Sequence, residues 1–312
     1  MEYIITEKES GKTVKEILFL SLGLSYAFVK HLKFIENGIT LNGEHATVRK
    51  KVNAGDVLRL ATDDTRFCES LNPADIPLDI VFEDEHIIIP NKPPFMPTHP
   101  SHLHHGDTLA DALAFRYKQQ NKPFVFRPIN RLDRNTSGLT LIAKDRISAS
   151  RLTAAMKNGQ IKKQYLALLY GELTEPEGTI ETYIKRTDAS IIVRTVCSAA
   201  DGGDYALTRY KVLYRQSGYT LVLASPQTGR THQLRVHFAH IGCPIVGDDM
   251  YGIPDSRISR HALHALKLTI PSLDTNETLS FCAQIPDDMK SVITDIFGPL
   301  NNDICAHSFG LN

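Results

Sequence analysis

The sequence predicts an α/β (α+β) protein with a small N-terminal unit and a larger second domain. Apolar side chains recur at helical spacing within residues 14–34, whereas residues 37–60 form short β segments separated by Asn-Gly and Gly-Asp turns. From Ile76 onward, short β-rich segments alternate with occasional helices. A chain of 312 residues is also the length of about two ordinary domains.

Changes in composition give the expected domain boundaries. Residues 1–62 form the small unit, and residues 63–75 are polar and read as a linker. Residues 76–300 form the second domain. Residues 301–312, which contain Asn-Asn and end in Gly-Leu-Asn, are expected to be a tail.

Two helices are expected in the small unit. Gly23 interrupts the helical pattern, and Ser25 is the expected N-cap of the second helix. The basic residues of this unit concentrate at a few positions, where they form either a solvated face or a contact for a polyanion. They are Lys30, Lys33, Arg49, Lys50 and Lys51.

Turn and cap residues locate the main elements of the second domain. A helix is expected after Asp107 or Thr108, and another is expected to end at Gly159. Residues 208–226 form two β-rich runs around Gln216-Ser217-Gly218, which is typical of a hairpin.

Overall composition excludes several classes of protein. Lysine plus arginine and aspartate plus glutamate both total 35, so net charge identifies no partner, although a local basic groove is compatible with this balance. The five cysteines are scattered without a C-x-x-C pair and were expected to be free thiols. No apolar run approaches the ~20 residues of a membrane span, and the first residues lack a signal-peptide pattern. We therefore expect a cytoplasmic protein with no membrane partner.

The stretch NRLDRNTSGLTLIAKD, residues 130–145, places the carboxylate of Asp133 between Arg131 and Arg134, just before an apolar run. Taken alone, it is typical of a polar surface turn, because Asp, Asn, Thr, Ser and Gly all favour turns. The remaining motifs decide whether it has a chemical role.

Three further stretches carry candidate functional residues. Arg230 follows a strand and precedes a helix expected near Thr231, where an arginine and a helix start could hold either a carboxylate or a phosphate. Tyr165 follows two lysines at the start of an apolar strand, and His264 lies within HALHALKLTIP. Separately, Tyr165 would be a core aromatic residue and His264 a structural histidine.

Together, these stretches resemble the pseudouridine synthases of the RluA-type branch. The motifs occur in family order over roughly residues 76–285, and a T-S-G after the aspartate, in place of T-E-G, distinguishes this branch from the RsuA-type. They are N-K-P at 91–93, R-L-D-x-x-T-S-G at 131–138, K-x-Y at 163–165, T-G-R-T-H-Q-L-R-V-H at 228–237, P-I-V-G-D-x-x-Y-G at 244–252 and A-L-H-A at 262–265. Residues 1–62 are similar, more loosely, to the ribosomal-protein-type (S-four-like) RNA-binding module.

The resemblance implies a mixed, largely antiparallel catalytic sheet and an enzyme that isomerises uridine in RNA to pseudouridine. It makes Asp133 the nucleophile, Arg230 its charged partner, and Tyr165 an aromatic residue that stacks on uracil and is a candidate base. Arg131 would assist extrusion of the target nucleotide or hold a phosphate. The other residues expected to bind RNA are Lys163, His232 and Arg235 in this domain and the five basic residues of the small unit.

The family uses no metal or cofactor, so none is expected here. A metal site in THPSHLHHGD, with His99, His102, His104 and His105, is disfavoured because it lacks thiolate or carboxylate ligands at defined spacing. One departure from the family is Asn130, where His is usual; it puts the tuning of RNA contacts in doubt.

Two other functions fit parts of the pattern. The main alternative is an inactive RNA-binding or ribosome-assembly factor on the same scaffold, although such a decayed site should lack at least one of Asp133, Tyr165 and Arg230. A metal-dependent nuclease would need a second carboxylate near Asp133, which the motifs do not supply. The expected substrate is large-subunit ribosomal RNA, with transfer RNA as the alternative, and the expected state is a monomer.

Overall fold

The computed structural model describes residues 1–61, 71–101, 104–275 and 277–299. Across these residues the protein has two β-sheets, each with its own helices and hydrophobic core. None of the helices in this part of the chain combines the length and apolar character that a bilayer crossing requires. Residues 63–70 of the expected linker and the expected tail at 301–312 lie outside the described residues.

The N-terminal unit is a four-stranded antiparallel sheet covered by short helices. Its strands have the spatial order β1-β4-β2-β3, and its helical segments are α1, which continues as a π-helical turn over Ile17–Ser21, and α2. In chain order the elements are β1 Glu2–Ile4, α1 Val14–Glu16, α2 Tyr26–Leu32, β2 Ile39–Leu41, β3 Glu44–His45 and β4 Val57–Leu60.

The helices of this unit form as the sequence predicts. The side chain of Ser25 caps α2 by accepting a hydrogen bond from the Phe28 amide at 3.3 Å. Val14, Leu18 and Leu32 are fully buried, so the apolar stripe faces the sheet. The opposite face of α2 leaves Lys30 and Lys33 exposed.

Twelve strands form the sheet of the second unit within the described residues. In chain order they are β5 Asp79–Glu83, β6 Ile87–Lys92, β7 Arg127–Pro128, β8 Ser137–Leu139, β9 Ile142–Ala143, β10 Lys162–Tyr170, β11 Glu177–Arg186, β12 Arg194–Cys197, β13 Asp204–Gln216, β14 Tyr219–Pro226, β15 Leu263–Pro271 and β16 Thr278–Cys282.

The sheet is mixed and largely antiparallel, which confirms the predicted fold class. Its strand order is β12-β11-β13-β14-β10-β15-β8-β6-β9-β7, with β16 beside β15 and β5 beside β6. The strands β8 and β15 form a parallel pair, in which Ser137 lies opposite His264 and Gly138 opposite Ala265. This pair brings the T-S-G and A-L-H-A motifs into direct contact.

Four helices pack on the large sheet: α3 Leu109–Gln119, α4 Arg146–Lys157, α5 Gln233–His240 and α6 Asp287–Phe297. The Thr108 side chain caps α3, as predicted, and Asp145 caps α4 by accepting from the amides of Ile147 and Ser148. The helix α5 begins two residues later than expected, because His232 has a left-handed backbone conformation with φ of 57°.

The main hydrophobic core surrounds the central strands. Residues 166–169 of β10 are fully buried, and so is Leu221 on the neighbouring strand β14. Both faces of these strands are covered, so their sequences are continuous apolar runs and do not alternate between apolar and polar residues. The core is therefore a rigid support for the polar residues at the strand ends.

The two units meet where α2 approaches α4. The Ser25 amide donates to Ser150 Oγ at 2.6 Å, and Arg146 Nη1 lies 2.8 Å from His31 Nε2. Ile147 packs against the core of the N-terminal unit. A specific, partly buried contact therefore joins the units.

Two sequence expectations need adjustment. Cys197 and Cys243 are free, but Cys282 is disulfide-bonded, so the expectation that all cysteines are free thiols is wrong. Residues 71–75 of the expected linker are ordered against α3: the Asn72 amide donates to Asp111 Oδ1 at 2.9 Å, and Leu71 packs beside a hydrophobic cluster.

Gly138 provides a test of the parallel strand pair. Its φ is +115°, and a Cβ at this position would lie 2.3 Å from the Ala265 carbonyl oxygen. We expect Gly138→Ala to lower the free energy of unfolding by about 3 kcal/mol through backbone strain and overlap. The control is Gly159→Ala, which has φ of +68° and open space around its Cβ, and should cost about 1 kcal/mol. Urea unfolding measures both, and equal losses would contradict the steric argument.

Candidate active site

One cavity of about 990 Å³ brings together residues from four of the six motifs, R-L-D-x-x-T-S-G, K-x-Y, T-G-R-T-H-Q-L-R-V-H and A-L-H-A. Asp133 comes from the loop between β7 and β8, Tyr165 from β10, and Arg230 from the loop between β14 and α5. Of the twelve residues predicted to be catalytic or to bind RNA, seven line it: Arg131, Asp133, Lys163, Tyr165, Arg230, His232 and Arg235. The five basic residues of the N-terminal unit do not line this cavity.

The cavity is strongly cationic although the whole chain is neutral. Among the residues described, its lining contains seven lysines and arginines and one acidic residue, Asp133. The basic residues are Arg131, Arg134, Lys157, Lys162, Lys163, Arg230 and Arg235. Such a cleft concentrates a polyanion around a single carboxylate.

A buried lysine anchors the loop that carries Asp133. Lys92 has no solvent exposure, and its Nζ donates to the carbonyl oxygens of Pro93 at 3.0 Å, Met96 at 2.8 Å and Arg134 at 3.2 Å. Burial lowers the pKa of Lys92 to about 7, while the Asp133 charge acts in the opposite direction. Lys92 therefore fixes the carbonyl group of Arg134, the residue that follows Asp133.

The threonine and serine of the T-S-G motif hold the far end of the same loop. Thr136 Oγ1 lies 2.8 Å from His261 Nε2, and Ser137 Oγ lies 2.9 Å from His264 Nδ1. All four side chains are buried, and burial lowers the pKa of each histidine to about 3. The histidines are thus neutral hydrogen-bonding partners, in line with the structural reading of His264.

Arg260 ties the loop to helix α6. Its guanidinium forms a fork with Asp288, at 2.7 and 2.9 Å, and Nη1 donates to the Asn135 carbonyl at 3.2 Å. Arg260 is 1% exposed, so breaking the pair would leave a buried charge. The loop that presents Asp133 is consequently held from two strands and a helix.

Arg235 is the guanidinium beside Asp133. Its Nη1 lies 4.0 Å from Asp133 Oδ2, while Nε and Nη2 form a fork with Asp248 at 2.7 Å each. Asp248 is completely buried and also accepts from the amides of Met250 and Tyr251 at 3.0 Å. Hydrogen bonding and the Asp248 charge raise the pKa of Arg235, although burial opposes this.

The expected pairing of Arg230 with Asp133 is wrong. Arg230 Nε donates to the Tyr205 carbonyl at 2.9 Å, and Nη1 lies 3.7 Å from Asp204. The physical reason is helix geometry: Arg230 precedes α5 and turns toward β13, whereas Arg235 lies in the first turn of the helix and faces the cavity. Arg230 lines the cavity at its outer edge.

His232 also approaches Asp133, with Nε2 at 4.0 Å from Oδ2. The Arg194 amide donates to Tyr251 Oη at 2.8 Å, and this hydroxyl lies 2.8 Å from His232 Nδ1. Because Tyr251 Oη already accepts from the amide, we assign its proton to the bond with Nδ1 and the imidazole proton to Nε2. In this tautomer the Nε2 proton lies on the side of the carboxylate, at a distance longer than a direct hydrogen bond.

The backbone of His232 supports a functional position. A non-glycine residue with φ of 57° is strained and persists only where its surroundings fix it. Burial lowers the pKa of His232, and the Asp133 charge acts against this. The residue is thus a neutral hydrogen-bond donor near the acid.

Tyr165 is nearly buried at the inner end of the cavity. Burial raises the pKa of its phenol, and the charge of Asp133 raises it further. A neutral phenol at physiological pH is a packing surface and a donor, so the free protein does not support Tyr165 as a ready base.

Asn130, which stands where histidine was expected, forms two hydrogen bonds to the backbone. Its Oδ1 accepts from the Leu141 amide at 2.7 Å, and its Nδ2 donates to the Leu139 carbonyl at 3.3 Å. The side chain is buried and bridges the start of the Asp133 loop to the strand that follows. Asn130 therefore clamps the backbone of the loop to that of the following strand.

Four supporting residues were missed in the sequence: Lys92, Asp248, Tyr251 and Arg260. The first three belong to motifs that were recognised, so motif membership was the available signal. Arg260 stands just before A-L-H-A and carries no signal of its own. Its role depends on contact with Asp288, 28 residues away.

The chain is similar to several known proteins. A family model described as RNA pseudouridylate synthase matches residues 86–240. An uncharacterized RNA pseudouridine synthase, YjbO, of Bacillus subtilis (strain 168) is 37% identical, with 90% of this chain and 98% of that protein covered. The ribosomal large subunit pseudouridine synthase D of Nitrosomonas europaea is 34% identical, with 83% and 76% covered.

A solved structure is also similar. Human RNA pseudouridylate synthase domain containing 1 superposes with a TM-score of 0.56 and 30% sequence identity. The match covers 67% of this chain and 83% of the human chain.

Tyr251→Phe tests the assignment of the His232 proton. Removing the hydroxyl removes the bond that stabilises the unprotonated Nδ1 of neutral His232, so the pKa of His232 should rise by roughly half a unit. ¹⁵N NMR of the imidazole across pH measures both the tautomer and the pKa.

The control for this experiment is Tyr183→Phe, because the Tyr183 ring packs against Tyr205 and not against His232. An unchanged His232 pKa in Tyr251→Phe would contradict the assignment of the imidazole proton to Nε2.

Proposed function

The chain belongs to the RluA-type RNA pseudouridine synthases, isomerases that act on uridine in RNA, and we propose on that premise that Asp133 is its nucleophile. The observation that carries the proposal is that Asp133 is the acidic residue of an otherwise cationic cavity. Its loop is held by Lys92, Thr136 and Arg260, so the carboxylate is presented in one place.

The reaction rearranges bonds without an external oxidant or group donor. The bond from uracil nitrogen 1 to the ribose breaks, the base turns, and carbon 5 joins the ribose. Carbon 5 then loses its proton and nitrogen 1 gains one. A covalent nucleophile divides this rearrangement into easier steps, provided that it is ionised and correctly placed.

Each neighbour of Asp133 has a distinct part in this proposal. Arg235 supplies a fixed positive charge beside the carboxylate, and His232 Nε2 lies 4.0 Å from the same oxygen, where the assigned tautomer would place an N–H. Tyr165 offers a buried aromatic face for the uracil. Because a base inside a stacked helix cannot reach this depth, the target nucleotide must be extruded, at a cost of a few kcal/mol.

The outer cavity would hold the RNA backbone. Arg131 is exposed at the rim, and Lys163 and Arg230 line the walls. These contacts are with phosphates, so they position RNA without reading its sequence.

The N-terminal unit would add affinity for structured RNA. Lys30, Lys33, Arg49 and Lys51 are not buried, while Lys50 lies 4.0 Å from Glu44. We assign large-subunit ribosomal RNA as the substrate, supported by the similarity to an enzyme of that name, with transfer RNA as the alternative. The protein would act as a cytoplasmic monomer without a cofactor.

Asp133→Asn tests the nucleophile. A neutral amide of similar volume cannot attack, so pseudouridine formation should fall by about 10⁴-fold or more. RNA affinity should be retained, because phosphate contacts and base stacking do not need this charge. Pseudouridine mapping on bulk stable RNA, with excess chelator present, measures the activity and identifies the substrate.

The matched control is Asp295→Asn, an exposed carboxylate on α6, which should leave turnover unchanged. Robust turnover by Asp133→Asn would refute the assignment of the nucleophile.

A second test separates Arg235 from Arg230. Both are changed to lysine, which keeps the charge but loses the guanidinium fork. Arg235→Lys should lower kcat by about 10²-fold, because the charge beside Asp133 is displaced. Arg230→Lys should change kcat little, since its guanidinium contacts Tyr205 and Asp204. Single-turnover kinetics and thermal unfolding distinguish catalysis from stability; the reverse ranking of kcat would contradict the geometry.

A further inference from the structure

A second cavity, of about 350 Å³, lies beside the active-site cavity, at the β11–β12 hairpin. Gly229, Arg230 and Thr231 line both cavities, so the two adjoin at the loop before α5. The hairpin forms the outer edge of the large sheet. We call this second cavity the hairpin groove; its other lining residues are Ile184, Lys185, Arg186, Arg194, Gly202 and Asp204.

The hairpin groove has an unbalanced positive charge. Four basic residues, Lys185, Arg186, Arg194 and Arg230, line it against the single carboxylate of Asp204. That carboxylate is 72% exposed and lies 3.7 Å from Arg230 Nη1. Three positive charges therefore remain without a carboxylate among the lining residues.

The strand register places two of these positive charges opposite each other. Arg186 on β11 lies directly opposite Arg194 on β12. Like charges at opposite positions destabilise an antiparallel pair, so a hairpin closed by two arginines is electrostatically costly when it is empty. An anion between the two side chains removes that repulsion.

Two of the arginines are already oriented. Arg194 Nη1 donates to the carbonyl oxygens of Ile191 at 3.2 Å, Ile192 at 2.8 Å and Val193 at 3.3 Å, which fixes it within the hairpin turn. Arg230 Nε is fixed by the Tyr205 carbonyl. Ordering these side chains in advance lowers the entropic cost of binding.

We propose that the hairpin groove binds a backbone phosphate of the RNA strand that flanks the target uridine. The proposal rests on the proposed function, because the groove adjoins the cavity that would hold that uridine. Arginine matches phosphate oxygens with paired N–H donors, which suits the three guanidinium groups here. A phosphodiester and free inorganic phosphate share this chemistry, and the experiment separates them.

The test measures RNA binding in the full-length Asp133→Asn protein, so that turnover does not interfere. Arg186→Gln and Lys185→Gln should each weaken binding to transcribed large-subunit ribosomal RNA by about 5- to 10-fold at low salt. The slope of log affinity against log salt should fall by about one for each lost phosphate contact. The matched control is Arg209→Gln, an exposed arginine on β13 that lines neither cavity.

Phosphate-ethylation interference then locates the contact. Neutralising one phosphate near the modified uridine should weaken binding of the parent protein but not of Arg186→Gln. Inorganic phosphate, titrated at constant ionic strength, should compete with RNA for the parent protein and less for the variant. Competition by phosphate without any loss of RNA affinity in Arg186→Gln would indicate a free-phosphate site and overturn the proposal.

Failures of the two proposals give different results. If wild-type protein forms pseudouridine but Arg186→Gln and Lys185→Gln bind RNA with parental affinity and salt slope, the hairpin groove is not an RNA phosphate site. If Asp133→Asn retains turnover, the proposed nucleophile fails, whatever the binding data show for the hairpin.

Discussion

The buried fork between Arg235 and Asp248 is the interaction on which the active-site arrangement depends. Asp248 is fully buried, and Arg235 is 5% exposed, so neither charge could remain there without the other. The fork uses Nε and Nη2, which leaves Nη1 directed to Asp133 at 4.0 Å. One desolvated pair thus stabilises the junction of α5 with the following loop and places a positive charge beside the proposed nucleophile.

Buried polar contacts, and not local backbone preference, fix the loop that carries Asp133. Lys92 bonds to three carbonyl oxygens, and the hydroxyls of Thr136 and Ser137 contact His261 and His264. The contacts from Lys92 to Arg134, from Thr136 to His261 and from Ser137 to His264 join distant segments, so the loop is rigid only in the folded protein. The carboxylate is therefore preorganised: folding holds it in place before RNA binds, so binding does not have to order it.

The sequence was informative where short-range patterns or ordered motifs determine the structure. The Ser25 cap, the Thr108 cap and the β13–β14 hairpin follow from local rules, and the motifs located the active-site cavity. The sequence did not predict that Arg235, and not Arg230, lies beside Asp133. Both arginines belong to one motif, and only the start of α5 decides which one faces the carboxylate. The roles of Arg260 and Tyr251 depend on long-range contacts that spacing alone does not specify.

Helix α4 connects the N-terminal unit to the active-site cavity. Near its start, Arg146 and Ser150 contact the N-terminal unit, and at its end Lys157 lines the active-site cavity. With a rise of 1.5 Å per residue, the axis from Arg146 to Lys157 spans about 17 Å. If the N-terminal unit binds RNA as proposed, α4 sets the distance between that RNA contact and the active-site cavity. A uridine would then be chosen by its distance in space from a folded RNA element, and its neighbours in the RNA sequence would matter less.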